Sequence, residues 1–187
     1  MGPTRLAARR LVAYGIDWTL FAAWGSTVFA VAYSARDDSG DFTWPTEAWA
    51  GQALGFVLTT LPFGLYFALT ESSRAGASVG KRLLGLRVET GSGAAVSLGR
   101  AFARTAGKLV PWELGHTAAH QLLAHGRVDE EPPRWALWLA TAAMALAAGY
   151  VATLFGAEGR TPYDRVAGTR VVGRPRASGD VTTERAQ

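Results

Sequence analysis

The chain has 187 residues, of which 49% are apolar and 18% charged, with a formal net charge of +4 and no cysteine. That is one domain's worth of chain, with less charge than the roughly 25% of an average globular domain. Without thiols it can form neither disulfides nor thiolate metal sites. The pI is about 9.8, yet the basic residues flank apolar segments instead of alternating with stacking aromatics. Anionic lipid headgroups in a bilayer therefore fit as partners, and nucleic acid does not.

The first apolar segment, Leu11 to Tyr33, is interrupted only by Asp17 and follows Arg5, Arg9 and Arg10. As a helix it reaches about 35 Å, enough to cross a hydrocarbon core of about 30 Å. Ala30-Val31-Ala32 resembles a signal-peptidase site. The segment is longer than a signal core and carries an aspartate, so a retained span is the expectation. The second segment runs from Trp49 to Leu69 with Pro62 inside it, which membrane helices tolerate as a kink. The stretch between the two holds Asp37, Asp38, Asp41 and Glu47 against a single Arg36.

Ser97 to His125 is more polar. Arg100, Arg104 and Lys108 form one helical stripe, followed by Pro111, Trp112, Glu113, His116 and His120. Hydropathy alone does not mark it as a span, but the charge balance arbitrates. With three crossings, seven of the 19 basic residues fall outside and 12 inside; a fourth crossing near Leu109 to Ala124 leaves three outside and 16 inside. The bias favours four crossings, with three as the alternative. Trp135 to Phe155 is the last clear span, anchored by Trp135 and Trp138, and Val128 to Glu131 gives a second acidic outer loop. Residues 174–187 read as a disordered cytoplasmic tail. The expected fold is an all-α membrane bundle with a cytoplasmic loop, an amphipathic segment and both termini in the cytoplasm.

Gly76, Gly80, Lys81, Arg82 and Gly85 punctuate the loop after the second segment. The phosphate-binding GxxxxGK[ST] pattern fails there, because the glycine spacing is one residue short and Arg82 replaces the hydroxyl. A glycine-hinged turn with Lys81, Arg82 and Arg87 at the headgroups is the expectation. Glu113, His116 and His120 share one helical face in the Glu-x-x-His spacing of carboxylate-bridged metal sites. They are metal-ligand candidates, with polar interhelical contacts as the plainer alternative. His125 falls at the outer boundary. No hydrolase constellation emerges.

Arg9-Arg10 with Asp17, the glycine-lysine loop, and the stretch Arg160-Thr161-Pro162-Tyr163-Asp164-Arg165 together resemble the RDD family of multi-pass bacterial membrane proteins. The resemblance spans Arg5 to Gly173. It identifies Arg10, Asp17 and Asp164 as the name-giving arginine and aspartates, with Arg9 as an adjacent substitute for Arg10. Tyr163 stands where many members have histidine, which removes a proton role at that position. Transport is what the family's intramembrane charges suggest.

Asp17 lies about 9 Å into its helix, where a carboxylate costs up to about 2.5–3.5 kcal/mol. It is read either as a site for a cation or proton, with Glu113 and His116 as relay groups, or as a structural hydrogen-bonding group. Arg10 sits two turns from Asp17, too far to pair, and four crossings return Asp164 to the boundary where Arg10 sits, so Arg10 and Asp164 are expected to pair. Asp164 alternatively serves as a turn or cap residue after Pro162. The leading functional expectation is a small non-enzymatic transporter in the cell membrane, without cofactor and assembled as a homo-oligomer. A membrane scaffold and a metal-dependent enzyme using Glu113, His116 and His120 are the alternatives.

Overall fold

The computed structural model describes residues 2–34, 47–126 and 131–174. The acidic stretch at Asp37, Asp38 and Asp41, the linker acids Asp129 and Glu130, and the tail beyond Arg174 lie outside the described residues. In chain order the elements are α1 (Pro3–Ser34), α2 (Ala48–Gly55), a π-helical turn (Phe56–Thr60), α3 (Leu61–Ser72), α4 (Val79–Leu83), β1 (Leu86–Thr90), α5 (Leu98–Gly126), α6 (Arg134–Leu154), α7 (Pro162–Val166) and β2 (Thr169–Gly173). Helix dominates, as expected. The all-α expectation is corrected by β1 and β2, which pair antiparallel with Leu86 opposite Gly173 and Thr90 opposite Thr169. Alternation explains the sheet: Leu86, Val88 and Val171 turn into a core with Ala13, Ala68 and Ala101.

α2, the π turn and α3 form one continuous helix, Ala48–Ser72. This rod and α6 are long and apolar enough to cross a membrane. α5 is a single helix through the polar stretch, and α2, α3 and α6 all pack against it. Its polarity fits that central place, because neighbouring helices cover one face of it, including Arg104, Thr105 and Lys108. On α1 the buried residues Ala7, Arg10, Ala13, Asp17 and Phe21 recur at helical spacing, so one face carries both charges and apolar packing. Phe21, Phe63, Phe67 and Leu109 form a second core, with Trp18 and Trp112 against it. At the opposite end Trp49 and Trp135 stack with ring centroids 6.3 Å apart, joining the starts of α2 and α6.

The second rod and α5 each carry a proline in their interior, and both are repaired in the same way. A proline cannot donate to the carbonyl four residues earlier, and such an orphan is costly where water is absent. Pro62 orphans Leu58, whose carbonyl accepts the Trp24 indole Nε1–H at 2.6 Å. Pro111 orphans Gly107, whose carbonyl accepts the Tyr150 hydroxyl at 3.0 Å. The aromatic donors thereby staple α1 to the second rod and α6 to α5. Tyr150→Phe and Trp24→Phe each leave a carbonyl unsatisfied and should cost about 1–3 kcal/mol. Thermal unfolding in detergent checks this, and an unchanged midpoint for both variants would contradict it.

Candidate functional site

At the end of the bundle where α1 begins, five helices each contribute a charge to one buried cluster. Glu71, fully buried at the end of α3, is its hub. Arg104 Nε donates to Glu71 Oε2 at 2.7 Å, while Lys81 Nζ and Lys108 Nζ reach Oε1 at 2.9 and 3.0 Å. The guanidinium of Arg104 also pairs with Asp164 Oδ1. Asp164 Oδ2 in turn accepts from Arg10 Nη2 at 2.7 Å. One chain of charge contacts thus runs from α4 and α3 through α5 and α7 to α1. Within an environment of low dielectric each contact is strengthened, and each unpaired member would be costly.

Asp164 has both roles raised by the sequence. It pairs with Arg10, and it completes a capping box with Thr161, accepting from the Thr161 amide at 3.1 Å and its hydroxyl at 2.8 Å. Arg10 further donates to the Gly159 carbonyl. Tyr163 lies in the same turn, where the Arg104 guanidinium sits 5.1 Å from its ring centre.

Asp17 is fully buried next to the cluster. Its Oδ1 accepts from Tyr66 Oη at 2.7 Å and from the Gly80 amide at 2.9 Å, and its Oδ2 from Ser78 Oγ at 2.6 Å. The carboxylate ties α1 to the loop and α4. Gly80 permits this approach: a Cβ there would stand 2.0 Å from the Ala13 carbonyl oxygen. Gly76 and Gly85 have φ of +58° and +59°, a backbone region that glycine enters at little cost. The loop motif therefore docks on α1, and Lys81 departs from the expected headgroup position because its ammonium is buried on Glu71. Arg82 stays exposed and donates to the Ala77 carbonyl at 3.0 Å, and Arg87 pairs with Glu89 at 2.9 Å.

Glu113, His116 and His120 do share a face of α5. Thr60 of the π turn donates to Glu113 and accepts from Trp112 Nε1 at 2.9 Å. The His116 and His120 rings meet edge to face, with centroids 4.8 Å apart, and pack against Gly55. His116 Nδ1 is 3.8 Å from Glu113 Oε1, too far to bond. Among the described residues no three His, Asp or Glu side chains are gathered as a metal-binding group. His125 Nδ1 lies 2.7 Å from the Gln121 carbonyl.

A cavity of about 710 Å³ lies between α1 and α6 with α5 as its floor. Arg10, Lys81, Arg104 and Lys108 line one end, and among the described residues they are the only formally charged ones on its wall. Trp18, Trp112 and His116 follow along its length, and Ala143, Met144 and Ala147 supply the α6 side. Met144 and Val151, at the rim, are exposed, so the cavity opens sideways between the helices.

Glu71 escaped the sequence reading because it falls two residues beyond the apolar run. A lone carboxylate there, with the Arg104 and Lys108 stripe, was the signal available. Tyr66, Ser78 and Thr60 carried no comparable signal, since their roles arise only where separate helices meet.

No curated protein and no solved structure matches the chain. The RDD family model matches residues 4–168, so the chain belongs to the RDD family of membrane proteins.

Proposed function

We propose that this protein crosses the cell membrane four times, with both termini in the cytoplasm, and binds an anionic ligand in the α1–α6 cavity as a non-enzymatic carrier module. The observation that carries this reading is the sign of the wall. Four cations line the cavity, while Glu71, Asp164 and Asp17 sit behind them. By formal charge these four basic groups outnumber the three carboxylates by one, and the basic groups are the ones that face the cavity, so its wall favours an incoming anion. Four crossings put this end of the bundle at the cytoplasmic boundary, in keeping with the bias of basic residues. Cation binding at Asp17 fits less well, because three donors already occupy its oxygens.

A second reading rests on the π turn. Such turns are frequent at functional sites, and here one holds Glu113 beside a His116 Nδ1 with no hydrogen-bond partner among the described residues. That arrangement suits a proton relay across the middle of α5.

Titration of the purified protein separates the two readings. Trp18 and Trp112 line the cavity, so tryptophan fluorescence reports on it. Inorganic phosphate should shift the emission and raise the unfolding temperature at constant ionic strength, while exchanging sodium for lithium or potassium should do neither. No response to phosphate, together with a proton flux in proteoliposomes that Glu113→Gln abolishes, would reverse the assignment and favour the Glu113–His116 reading.

A further inference from the structure

The cavity has a chemical gradient along its length that a small inorganic anion does not use. One end presents ammonium and guanidinium groups, and the remainder is walled by alanine, methionine, valine and aromatic side chains. α1 packs chiefly on α4 and α6 chiefly on α5, and the cavity lies between residues of α1 and α6. Exposed Met144 and Val151 mark where that gap meets the surface of the apolar helix α6. In a bilayer this opening faces acyl chains and the cationic end faces the headgroup layer.

We propose that the cavity is a binding site for an anionic phospholipid, with the lipid phosphate at Lys108, Lys81 and Arg10 and one acyl chain lying along α6 between Ala140 and Val151. The proposal rests on the anion-binding reading above and names its ligand class. Donor capacity supports it. Among the described residues Lys108 gives one of its three N–H groups to Glu71, and Lys81 gives two, to Glu71 and Ser78. Spare ammonium donors remain beside the cavity, and phosphate oxygens are suited to accept them. Lys108 is also held 3.6 Å from the Phe67 ring centre, which fixes its position. Basic pockets between membrane helices on the cytoplasmic side commonly take anionic headgroups. A lipid reaches this one laterally, without crossing the charge cluster.

The test uses the full chain in nanodiscs of phosphatidylcholine containing either phosphatidylglycerol or more phosphatidylcholine, followed by release into detergent and native mass spectrometry. Wild type should retain phosphatidylglycerol and not phosphatidylcholine. Lys108→Gln removes the surplus positive charge and leaves the cluster balanced, and Ala147→Trp fills the acyl channel without touching a charge. Each should lower phosphatidylglycerol retention at least tenfold, with size-exclusion profiles reporting that the variants are folded. Equal retention of both lipids, or phosphatidylglycerol retention unaffected in folded variants, would overturn the lipid site. A fluorescence response to inorganic phosphate without phosphatidylglycerol retention overturns this inference alone. Failure of both phosphate and phosphatidylglycerol overturns the anion-binding reading as well.

Discussion

Replacing Glu71 by glutamine should abolish most of the folded protein, a larger loss than any single change at Asp17. The amide keeps the size of the side chain and removes the negative charge shared by Arg104, Lys81 and Lys108. Three cations would then crowd one buried place. Breaking a buried ion pair by removing one partner costs about 3–5 kcal/mol, a large share of the net stability of a domain of this size. The coupling has a sign that can be measured. Lys108→Gln should relieve part of the damage, so the double variant should be more stable than Glu71→Gln alone. Fluorescence-detected size exclusion with a temperature ramp reads both, and a Glu71→Gln protein with the wild-type midpoint would refute the hub role.

Asp164→Asn should be nearly as damaging, and a charge swap should not repair it. The pairing with Arg10 suggests that Arg10→Asp combined with Asp164→Arg would restore an ion pair. Yet Asp164 also faces Arg104 and caps α7 through Thr161. An arginine there confronts Arg104 and cannot accept the cap bonds, whose loss alone costs about 1 kcal/mol. The swapped protein should therefore be no more abundant than either single variant. Recovery toward the wild-type level, measured as monodisperse protein per unit of membrane, would show that the Arg10 contact outweighs the other two.

Much of the architecture is legible from residues close in sequence. The apolar runs give the second rod and α6, and the periodicity of α1 places Arg10 and Asp17 on one face. The polar helix α5 is legible in the helical spacing of Arg100, Arg104 and Lys108, although hydropathy does not mark it. The sheet was missed for a different reason. Leu86–Thr90 and Thr169–Gly173 are five-residue strands that become intelligible only when the chain between them brings their edges together. The same holds for the charge cluster. Arg10 and Asp164 are linked by a motif resemblance and by topology, whereas the hub Glu71 looks like the polar end of a span. The depth of Asp17 leaves an ion site and a structural hydrogen-bonding role both open, and the three donors around it lie on segments whose approach no local pattern reveals.

On the proposed arrangement Arg10, Glu71, Arg104 and Asp164 cluster at one face of the membrane, which requires an even number of crossings between α1 and the carboxyl-terminal segment and is directly measurable. The chain has no native cysteine, so Arg127→Cys, after α5, and Arg176→Cys, near the carboxyl terminus, can each be the sole thiol. Four crossings predict that a membrane-impermeant maleimide labels position 127 in intact cells and position 176 only after the membrane is opened. Labelling of position 176 in intact cells, with position 127 protected, would contradict the four-span arrangement and the cytoplasmic placement of the cationic cavity.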